Sequence, residues 1–242
     1  MGTFYDGSAR NYTHLYDKDM YTSMWTAYPL YNSTIGGSAS ANWKPNPELE
    51  EDEQINIWDK SYGVDYGSTI YSRGHQLPKG DRTGNAEMLK QAFYATNSVP
   101  QIQDKFNGGI WATVENEIRG LLPSDDSDTL YVVTGVSFQK EGGSEDITYI
   151  QPQCDTKECP VPNYFWKVIL KVNRSGDRLT AAETVGFWFE HKQYSDSKAF
   201  ESYTATVDQI EKWTGYDFFA NLPDSLEESA ESNSSWTTFE NF

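Results

Sequence analysis

The amino-acid sequence predicts an α+β fold, and three observations support this prediction. First, three stretches have the β-branched and aromatic content that is typical of strands. Second, the apolar residues of the stretch 110–122 recur at helical spacing. Third, Thr206 and Gln209 fit the capping box that opens a helix, and Gly215 fits the glycine that ends one. The three strands are expected at residues 129–138, 164–172 and 184–190.

The N-terminal part of the chain contains one clear strand prediction. Residues 20–31 are rich in aromatic residues and threonine, and we expect Pro29 to end this strand. Residues 1–20 show no clear hydrophobic period. Residues 32–59 combine glycines, prolines and a run of acids, which is the composition of a solvated loop.

The stretch 68–75 alternates as a strand does, and it carries the first residues with chemical potential. Period two would place Arg73 and His75 on one face and Ser72 on the other. Gly74 lies between the two basic residues, where it leaves room or lets the backbone approach a ligand closely. Arg73 and His75 are therefore candidates for a shared site.

Two further elements are predicted between this strand and the next motif. Residues 85–93 favour a short helix, with Thr83 or Asn85 as its cap. Residues 94–99 favour a second strand, which Pro100 would stop. The two strand predictions flank the helix.

The predicted helix 110–122 carries polar residues close to its apolar stripe. On a helical wheel, Asn107 and Glu115 fall in or beside the buried arc, where a polar group needs a reason to be. A simpler interpretation makes Asn107 a helix cap and pairs Glu115 with Arg119 at (i, i+4). Such a pair contributes only ~0.2–0.5 kcal/mol, and it leaves the position of Glu115 beside the buried arc unexplained.

The net charge of −17 at first argues against a nucleic-acid partner, because phosphates attract lysine and arginine. The charge is not uniform, however. Residues 71–119 contain six basic and five acidic residues, a net +1, which leaves −18 for the rest of the chain. The central stretch therefore tolerates a polyanion, whereas the acidic remainder would restrict docking to one face.

No apolar run approaches the ~18 residues that span a membrane. The most apolar stretch, 164–172, is interrupted by Lys167 and Lys171. The first residues lack the basic and apolar regions of a signal peptide, so any export signal would be missing from this sequence. Neither a P-loop nor a dinucleotide-binding fingerprint is present.

Cys154 and Cys159 are the only cysteines, and four residues separate them. Two thiolates alone make a poor zinc site, and no histidine lies nearby in the sequence. A small disulfide-closed loop is the preferred interpretation, with two free thiols as the alternative. A disulfide would indicate an oxidising compartment, so we expect a secreted or periplasmic protein.

The chain has three histidines, and a lone histidine is more often structural than catalytic. His14 and His191 have no distinguishing pattern, whereas His75 shares a predicted strand face with Arg73. With Asn107, Glu115 and Arg119 downstream, the stretch 71–119 holds a base, cations, an amide oxygen and a carboxylate. Phosphodiester hydrolysis with one bound metal requires this set.

The motif Arg73-Gly74-His75, followed by Asn107, Glu115 and Arg119, resembles the DNA/RNA non-specific endonuclease family, the ββα-metal nucleases. In that family a glutamate follows the asparagine by eight residues and an arginine follows it by twelve, and both spacings match. Further resemblance runs from about residue 21 to 222. It includes Asn97, Pro100-Gln101, Val161-Pro162-Asn163-Tyr164-Phe165-Trp166-Lys167 and Thr214-Gly215-Tyr216-Asp217-Phe218-Phe219.

The resemblance implies an enzyme that hydrolyses DNA and RNA to 5′-phosphate products with Mg²⁺ or Mn²⁺. His75 would be the general base and Asn107 the direct metal ligand, and Glu115 would hold metal-bound waters. Arg73 and Arg119 would neutralise charge on the phosphorane. Arg82 and Asn97 would contact substrate or support the site.

The resemblance also implies a central, mainly antiparallel sheet flanked by helices, with a ββα-metal finger as the active site. We expect one nuclease domain over residues 1–222, with its finger in 66–122, and an acidic tail over 223–242. The tail would be mobile unless its aromatic residues dock it. One departure is Ser72, which stands where many relatives have aspartate. Because Ser72 would face away from His75, we expect an indirect effect rather than inactivity.

Two alternatives from other functional classes remain open. A secreted glycan-binding protein would suit the surplus of tryptophan and tyrosine, but it offers no reason for the His75 and Asn107 set. A nuclease fold retained for interaction, with its activity lost, is the second alternative. Every expected catalytic position is present, which argues against it.

Overall fold

The computed structural model describes residues 1–63, 65–66 and 69–242, and these residues form twelve strands and five α-helices. The strands are β1 (Gly2–Asp6), β2 (Ala9–Asp17), β3 (Thr22–Leu30), β4 (Asp65–Tyr66), β5 (Thr69–His75), β6 (Ser98–Ile102), β7 (Leu130–Ser137), β8 (Thr148–Ile150), β9 (Cys159–Val161), β10 (Tyr164–Ser175), β11 (Arg178–Glu190) and β12 (Thr204–Ala205). The helices are α1 (Ala86–Ala92), α2 (Ala112–Gly120), α3 (Val207–Thr214), α4 (Asp224–Glu231) and α5 (Trp236–Glu240).

A large antiparallel sheet, in the order β1-β2-β3-β7-β10-β11-β12, forms the centre of the protein. Side chains alternate along β10, so Phe165 and Ile169 enter one apolar cluster and Trp166 and Val168 enter another. The first cluster also contains buried residues of α2, and the second contains those of α3. Helices therefore cover both faces, which confirms the predicted α+β fold. None of the described helices is long and apolar enough to cross a membrane.

Two prolines lie inside strands that they were expected to end. Pro29 is opposite Tyr131 of β7, and Pro100 is opposite Arg73 of β5. Proline is compatible with a strand where its missing N–H faces away from the partner. At Pro29 the pairing with β2 has already ended, and β6 pairs only with β5 among the described strands. The bounds predicted for the strand 94–99 are therefore wrong. Residues 95–97 form a short 3₁₀ helix, and the strand β6 follows it.

The N-terminal residues, for which the sequence showed no period, form the hairpin of β1 and β2. Its turn contains Gly7, whose φ of +58° lies in the left-handed region that glycine tolerates. The pair Asp6-Gly7 is a hairpin signal that the sequence offered. A second missed pairing joins the short strands β8 and β9.

The predicted ββα finger corresponds to β5, β6 and α2. Strand β5 begins at Thr69, and Ser68 of the predicted strand lies outside the described residues. The predicted helix 110–122 is shorter than expected, because α2 spans Ala112–Gly120. An irregular segment, Gln103–Trp111, precedes it, with non-helical backbone angles at Lys105 and Gly109 among others. Asn107 lies in this irregular segment.

His191 fastens the finger to the large sheet. Its Nε2 accepts a hydrogen bond from Ile102 N–H at 2.8 Å, and its Nδ1 lies 2.7 Å from the carbonyl oxygen of Pro162. This geometry fixes a neutral ring that donates from Nδ1. His191 therefore joins the end of β6 to the turn before β10, the structural role that lone histidines usually have.

We expect His191→Ala to lower the free energy of unfolding by about 1–3 kcal/mol at pH 7, since it removes the partners of Ile102 and Pro162. Burial lowers the pKa of His191 to about 4. The unfolded chain therefore binds the extra proton first, and this contribution is lost as the pH falls from 6.5 to 4. Urea unfolding at pH 7 and pH 5 should show a smaller effect of the variant at pH 5. An effect that is equal at both pH values would contradict the neutral, bridging ring.

The tail after Pro223 forms α4 and α5 and docks on the large sheet. Trp236 and Phe239 of α5 are buried in the main apolar cluster. Thr184 of β11 donates a hydrogen bond to the carbonyl of Ala230 at 2.8 Å. The aromatic residues thus dock the tail, the alternative to mobility that the sequence left open.

Both cysteines are free thiols, so the preferred disulfide is wrong. Cys159 is buried in the strand β9, where it packs against Ile150 and Val161. Cys154 is half-buried in the preceding loop. Packing of a thiol into an apolar cluster thus replaces the expected crosslink, and the support that a disulfide gave to an oxidising compartment is lost.

We expect one cysteine to react with a thiol reagent in the folded protein and two after unfolding. Burial raises the pKa of the Cys159 thiol, which keeps it protonated and unreactive. Labelling with a chromogenic disulfide in buffer and in denaturant, without reductant, measures both numbers. No reaction in denaturant would show that the disulfide exists.

Candidate active site

Arg73 and His75 lie on one face of β5, as the alternation predicted. The guanidinium of Arg73 lies 5.3 Å from the centre of the Trp43 ring, and its Nη1 donates to the carbonyl of Ile57 at 2.9 Å. The ring of His75 packs against Trp43 and Phe93, with centroid distances of 4.5 and 4.8 Å. Trp43 therefore contacts both basic residues, a role that its position in a predicted loop did not signal.

Burial keeps the imidazole of His75 uncharged at neutral pH. Its Nε2 is buried and has no hydrogen-bond partner among the described residues. Burial, with smaller effects from Lys79 and Arg73, lowers the pKa of His75 to about 3. The ring is thus neutral at pH 7 and keeps a nitrogen that can accept a proton.

Asn107 contacts the opposite face of β5. Its side-chain amide donates to Ser72 Oγ at 2.8 Å and to Gln103 Oε1 at 3.3 Å. Within the described residues, no hydrogen bond reaches the amide oxygen of Asn107, which is half-buried. Ser72 therefore orients the amide of Asn107 and leaves its oxygen available.

The structure does not bring His75 and Asn107 to the same strand face. Gly74 faces Gln101, because a Cβ added there would lie 2.6 Å from Gln101 Cβ, and Gln101 is opposite Ser72. The face with Ser72 and Gly74 carries Asn107, whereas the other face carries His75. The sequence predicted the orientation of Ser72 but did not predict that Asn107 would bind it.

Glu115 and Arg119 belong to a buried charged group that also contains Asp81. Arg119 donates to Asp81 Oδ1 and, at 2.6 Å, to Asn116 Oδ1. Asp81 is 2% exposed and also accepts a hydrogen bond from Tyr28 at 2.9 Å. The simple ion pair between Glu115 and Arg119 is therefore not the main contact, because Arg119 is held by Asp81.

Lys167 of β10 is the fourth charged residue of this group. It is 0% exposed, donates to Thr134 Oγ1 at 2.6 Å and places its Nζ 4.5 Å from the centre of the Trp111 ring. Burial lowers the pKa of Lys167 and raises the pKa of Glu115. The attraction between Glu115 and Lys167 partly offsets both shifts. Two acids and two bases thus share the interior beside α2, with no ion pair or hydrogen bond joining Glu115 to Asn107 in the described chain.

Sequence reasoning missed Asp81 and Lys167 as members of this group. The available signal was Lys167 itself, because a lysine in a mostly apolar strand needs an acidic partner when it is buried. Asp81 had no signal beyond its position in the turn after β5. Gly80 permits the contact, since a Cβ there would lie 2.7 Å from Arg119 Nη1.

Arg82 and Asn97 are both 0% exposed, so neither presents a surface to a substrate in this structure. The guanidinium of Arg82 donates to the carbonyl oxygens of Asn11 and Pro29, both at 2.9 Å. The amide of Asn97 exchanges hydrogen bonds with the backbone of Leu77 and donates to the carbonyl of Ala92. These residues instead support the site: Arg82 ties the turn after β5 to the large sheet, and Asn97 ties that turn to α1.

The chain matches the family model described as DNA/RNA non-specific endonuclease over residues 4–225. It is 30% identical to "Nuclease" of Serratia marcescens over 208 residues, which cover 86% of this chain and 72% of that protein. It is 25% identical to "Nuclease 1, mitochondrial" of Schizosaccharomyces pombe, covering 88% of this chain and 65% of that protein.

A solved structure has the same fold. A chain in the crystal structure of the EndoG/EndoGI complex matches with a TM-score of 0.68 and 21% identity, over 89% of this chain and 85% of that one. This match confirms the α+β fold alone. With the family match over residues 4–225, the chain belongs to the DNA/RNA non-specific endonuclease family, the enzyme class that its sequence predicted.

Proposed function

We propose that this protein hydrolyses phosphodiester bonds of both DNA and RNA, with Mg²⁺ or Mn²⁺, and leaves 5′-phosphate ends. The family match and the name of the Serratia marcescens relative support a nuclease activity. The chain keeps a residue at each position that the resemblance requires: Arg73, His75, Asn107, Glu115 and Arg119.

The observation that carries the proposal is the free nitrogen of His75. A buried polar atom without a hydrogen-bond partner destabilises the fold, and a catalytic role is one reason for such an atom to be present. In this enzyme class, its purpose would be to take a proton from the attacking water. The ring is neutral at pH 7, and a bound phosphate anion would raise the pKa of His75 from about 3 toward the range where a base is effective. A positioned base typically contributes ~10²–10⁴ in rate.

Asn107 fits a divalent metal ligand. Ser72 holds the amide nitrogen, so the amide oxygen points elsewhere and has no competing donor in the described part of the chain. A hard cation that keeps several waters accepts such an oxygen. When bound, the metal would supply charge stabilisation to the scissile phosphate and the leaving oxygen. Ser72 thus takes over the orienting role that an aspartate could fill.

The two arginines would act differently. Nη2 of Arg73 has no hydrogen bond among the described residues, so it can donate to a phosphate oxygen. Each terminal nitrogen of Arg119 already donates one hydrogen bond, to Asp81 and to Asn116, so the guanidinium is held in place. Its positive charge would neutralise charge on the phosphorane. Burial raises the pKa of Glu115, and in its ionised form this carboxylate would hold waters of the metal.

One substrate must reach both faces of β5. Strand β4 pairs with Thr69 and Ile70 only. The carbonyl of Tyr71 accepts hydrogen bonds from Ser61 and Gly63, and from Ser72 onward no described strand pairs with that edge of β5. A phosphate bound at this edge would lie between the faces that carry His75 and Asn107. We therefore place the substrate along the last residues of β5.

The direct test of the function is digestion of plasmid DNA and total RNA with Mg²⁺, with and without EDTA. We expect both substrates to be cut and EDTA to stop both reactions. Ligation of the DNA fragments without prior kinase treatment would show 5′-phosphates. Absence of cleavage with either metal would favour the glycan-binding or inactive-fold alternatives.

Activity should fall steeply with salt. The acidic body repels DNA, so binding depends on a few local phosphate contacts, and counterion release makes such contacts salt-dependent. Initial rates at substrate concentrations below KM, measured between about 50 and 200 mM KCl, should decrease monotonically. A flat response would argue against binding dominated by phosphates.

We also propose that the protein is exported, as a secreted or periplasmic enzyme. Its surplus of aromatic and small polar residues suits this location, whereas its free thiols give no support. Fractionation of the native cells with an antibody tests the proposal, and detection in the cytoplasm alone would refute it.

A further inference from the structure

A cluster of carboxylates lies far along the chain from the proposed catalytic residues. Oxygen atoms of Asp208 and Glu211 on α3 and of Glu231 on α4 all lie within 4.8 Å of one another. They line or adjoin a cleft of about 420 Å³ whose other acids are Asp217, Asp224, Glu227 and Glu228. The cleft has room for a hydrated ion.

Glu231 distinguishes this cluster from an ordinary acidic surface. It is only 4% exposed, and its buried Oε1 has no hydrogen-bond partner among the described residues. An unpaired buried carboxylate is costly, so something must compensate it. Glu231 also ends α4, where the helix carbonyls add further negative potential.

No cation of the protein supplies that compensation. In the described part of the chain, no lysine or arginine forms an ion pair with Asp208, Glu211 or Glu231. The negative charges of these carboxylates are therefore not balanced by an ion pair in the described part of the chain.

The backbone that carries the cluster is well anchored. Thr206 caps α3 by accepting a hydrogen bond from Gln209 N–H at 3.0 Å, and Glu211 accepts one from Phe218 N–H at 2.6 Å. Thr184 of β11 holds α4 through Ala230. Two helices fixed on one sheet thus present three carboxylates to a common point.

We propose that Asp208, Glu211 and Glu231 bind a divalent cation of the calcium class, which fixes α4 against α3. Hard oxygen ligands at flexible distances are what Ca²⁺ prefers, and water and the rim acids can complete its shell. The site is independent of the proposed nuclease chemistry, and its role is to stabilise the docked C-terminal segment.

The test uses the full-length chain with Asn107→Ala, so that calcium at the proposed catalytic position does not contribute. Equilibrium dialysis against Ca²⁺ should give one bound ion, with a Kd of ~10⁻⁴–10⁻³ M, as in other modest-affinity sites. Adding Glu231→Gln should abolish binding, whereas Glu201→Gln, an exposed acid in the segment Ser197–Tyr203, should not.

Thermal unfolding supplies the second readout. At about tenfold over its Kd, Ca²⁺ should raise the Tm of the Asn107→Ala protein by about 3–6 °C and leave the Glu231→Gln variant unchanged. In EDTA, Glu231→Gln should be at least as stable as its parent, because it removes an unpaired charge. Equal calcium binding with and without Glu231→Gln, or no saturable binding in the parent well above this Kd range, would overturn the proposal.

Discussion

Replacing His75 with alanine should reduce the initial rate of plasmid cleavage in Mg²⁺ by ~10²–10⁴, the usual contribution of a positioned base. The buried, unpartnered Nε2 is the physical reason, since no other nitrogen of the motif is both neutral and free. The rate should be measured with saturating DNA, so that the loss is seen in kcat. DNA affinity in EDTA should remain unchanged.

His75→Gln is the matched control for packing. Its side chain fills part of the space beside Trp43 and Phe93 and keeps polar atoms, but it cannot take a proton at neutral pH. We expect it to restore stability without restoring activity. Cleavage by His75→Gln at the wild-type rate would identify a different base.

Replacing Asp81 with alanine should cost about 3–5 kcal/mol of folding free energy, because it removes one partner of a buried ion pair. Arg119 would lose its carboxylate and Tyr28 would lose its acceptor in a site where Asp81 is 2% exposed. Guanidinium unfolding monitored by tryptophan fluorescence measures the change. Activity should also fall, since Arg119 would move.

Two further variants provide reference values for the loss of folding free energy in Asp81→Ala. Asp81→Asn keeps one acceptor oxygen for Arg119 and gains an NH₂ group that can donate to the hydroxyl of Tyr28, so it should cost less than Asp81→Ala. Glu87→Ala removes the exposed ion pair with Lys90 and should cost less than about 1 kcal/mol, as surface pairs do. An Asp81→Ala effect no larger than that of Glu87→Ala would show that the buried pair is not structural.

The spacing of residues in sequence predicted those features that depend on local geometry. Alternation placed Arg73 and His75 on one face of β5, and helical periodicity predicted the buried stripe of α2. The cap of α3 at Thr206 and its stop at Gly215 are confirmed. Each of these features depends on a few residues that are close in sequence and on the periodicity of a single helix or strand.

Features that depend on contacts between distant segments could not be predicted in this way. Trp43 reaches His75 from a stretch with no hydrophobic period, and Lys167 reaches the charged group of α2 from β10. The prolines within β3 and β6 are tolerated only because those strands lack a partner on one side there. Contacts between distant segments determine whether these residues fit, and the local conformational preference of a residue carries no information about those contacts.

We propose that one metal-dependent site cuts both nucleic acids. The most direct measurement is the fold-loss of cleavage caused by Asn107→Ala, determined for plasmid DNA and for total RNA in the same Mg²⁺ buffer. We expect both losses to be large and equal within error, with EDTA abolishing the wild-type activity on both substrates. RNA cleavage that persists while DNA cleavage disappears, or the reverse, would contradict a single site.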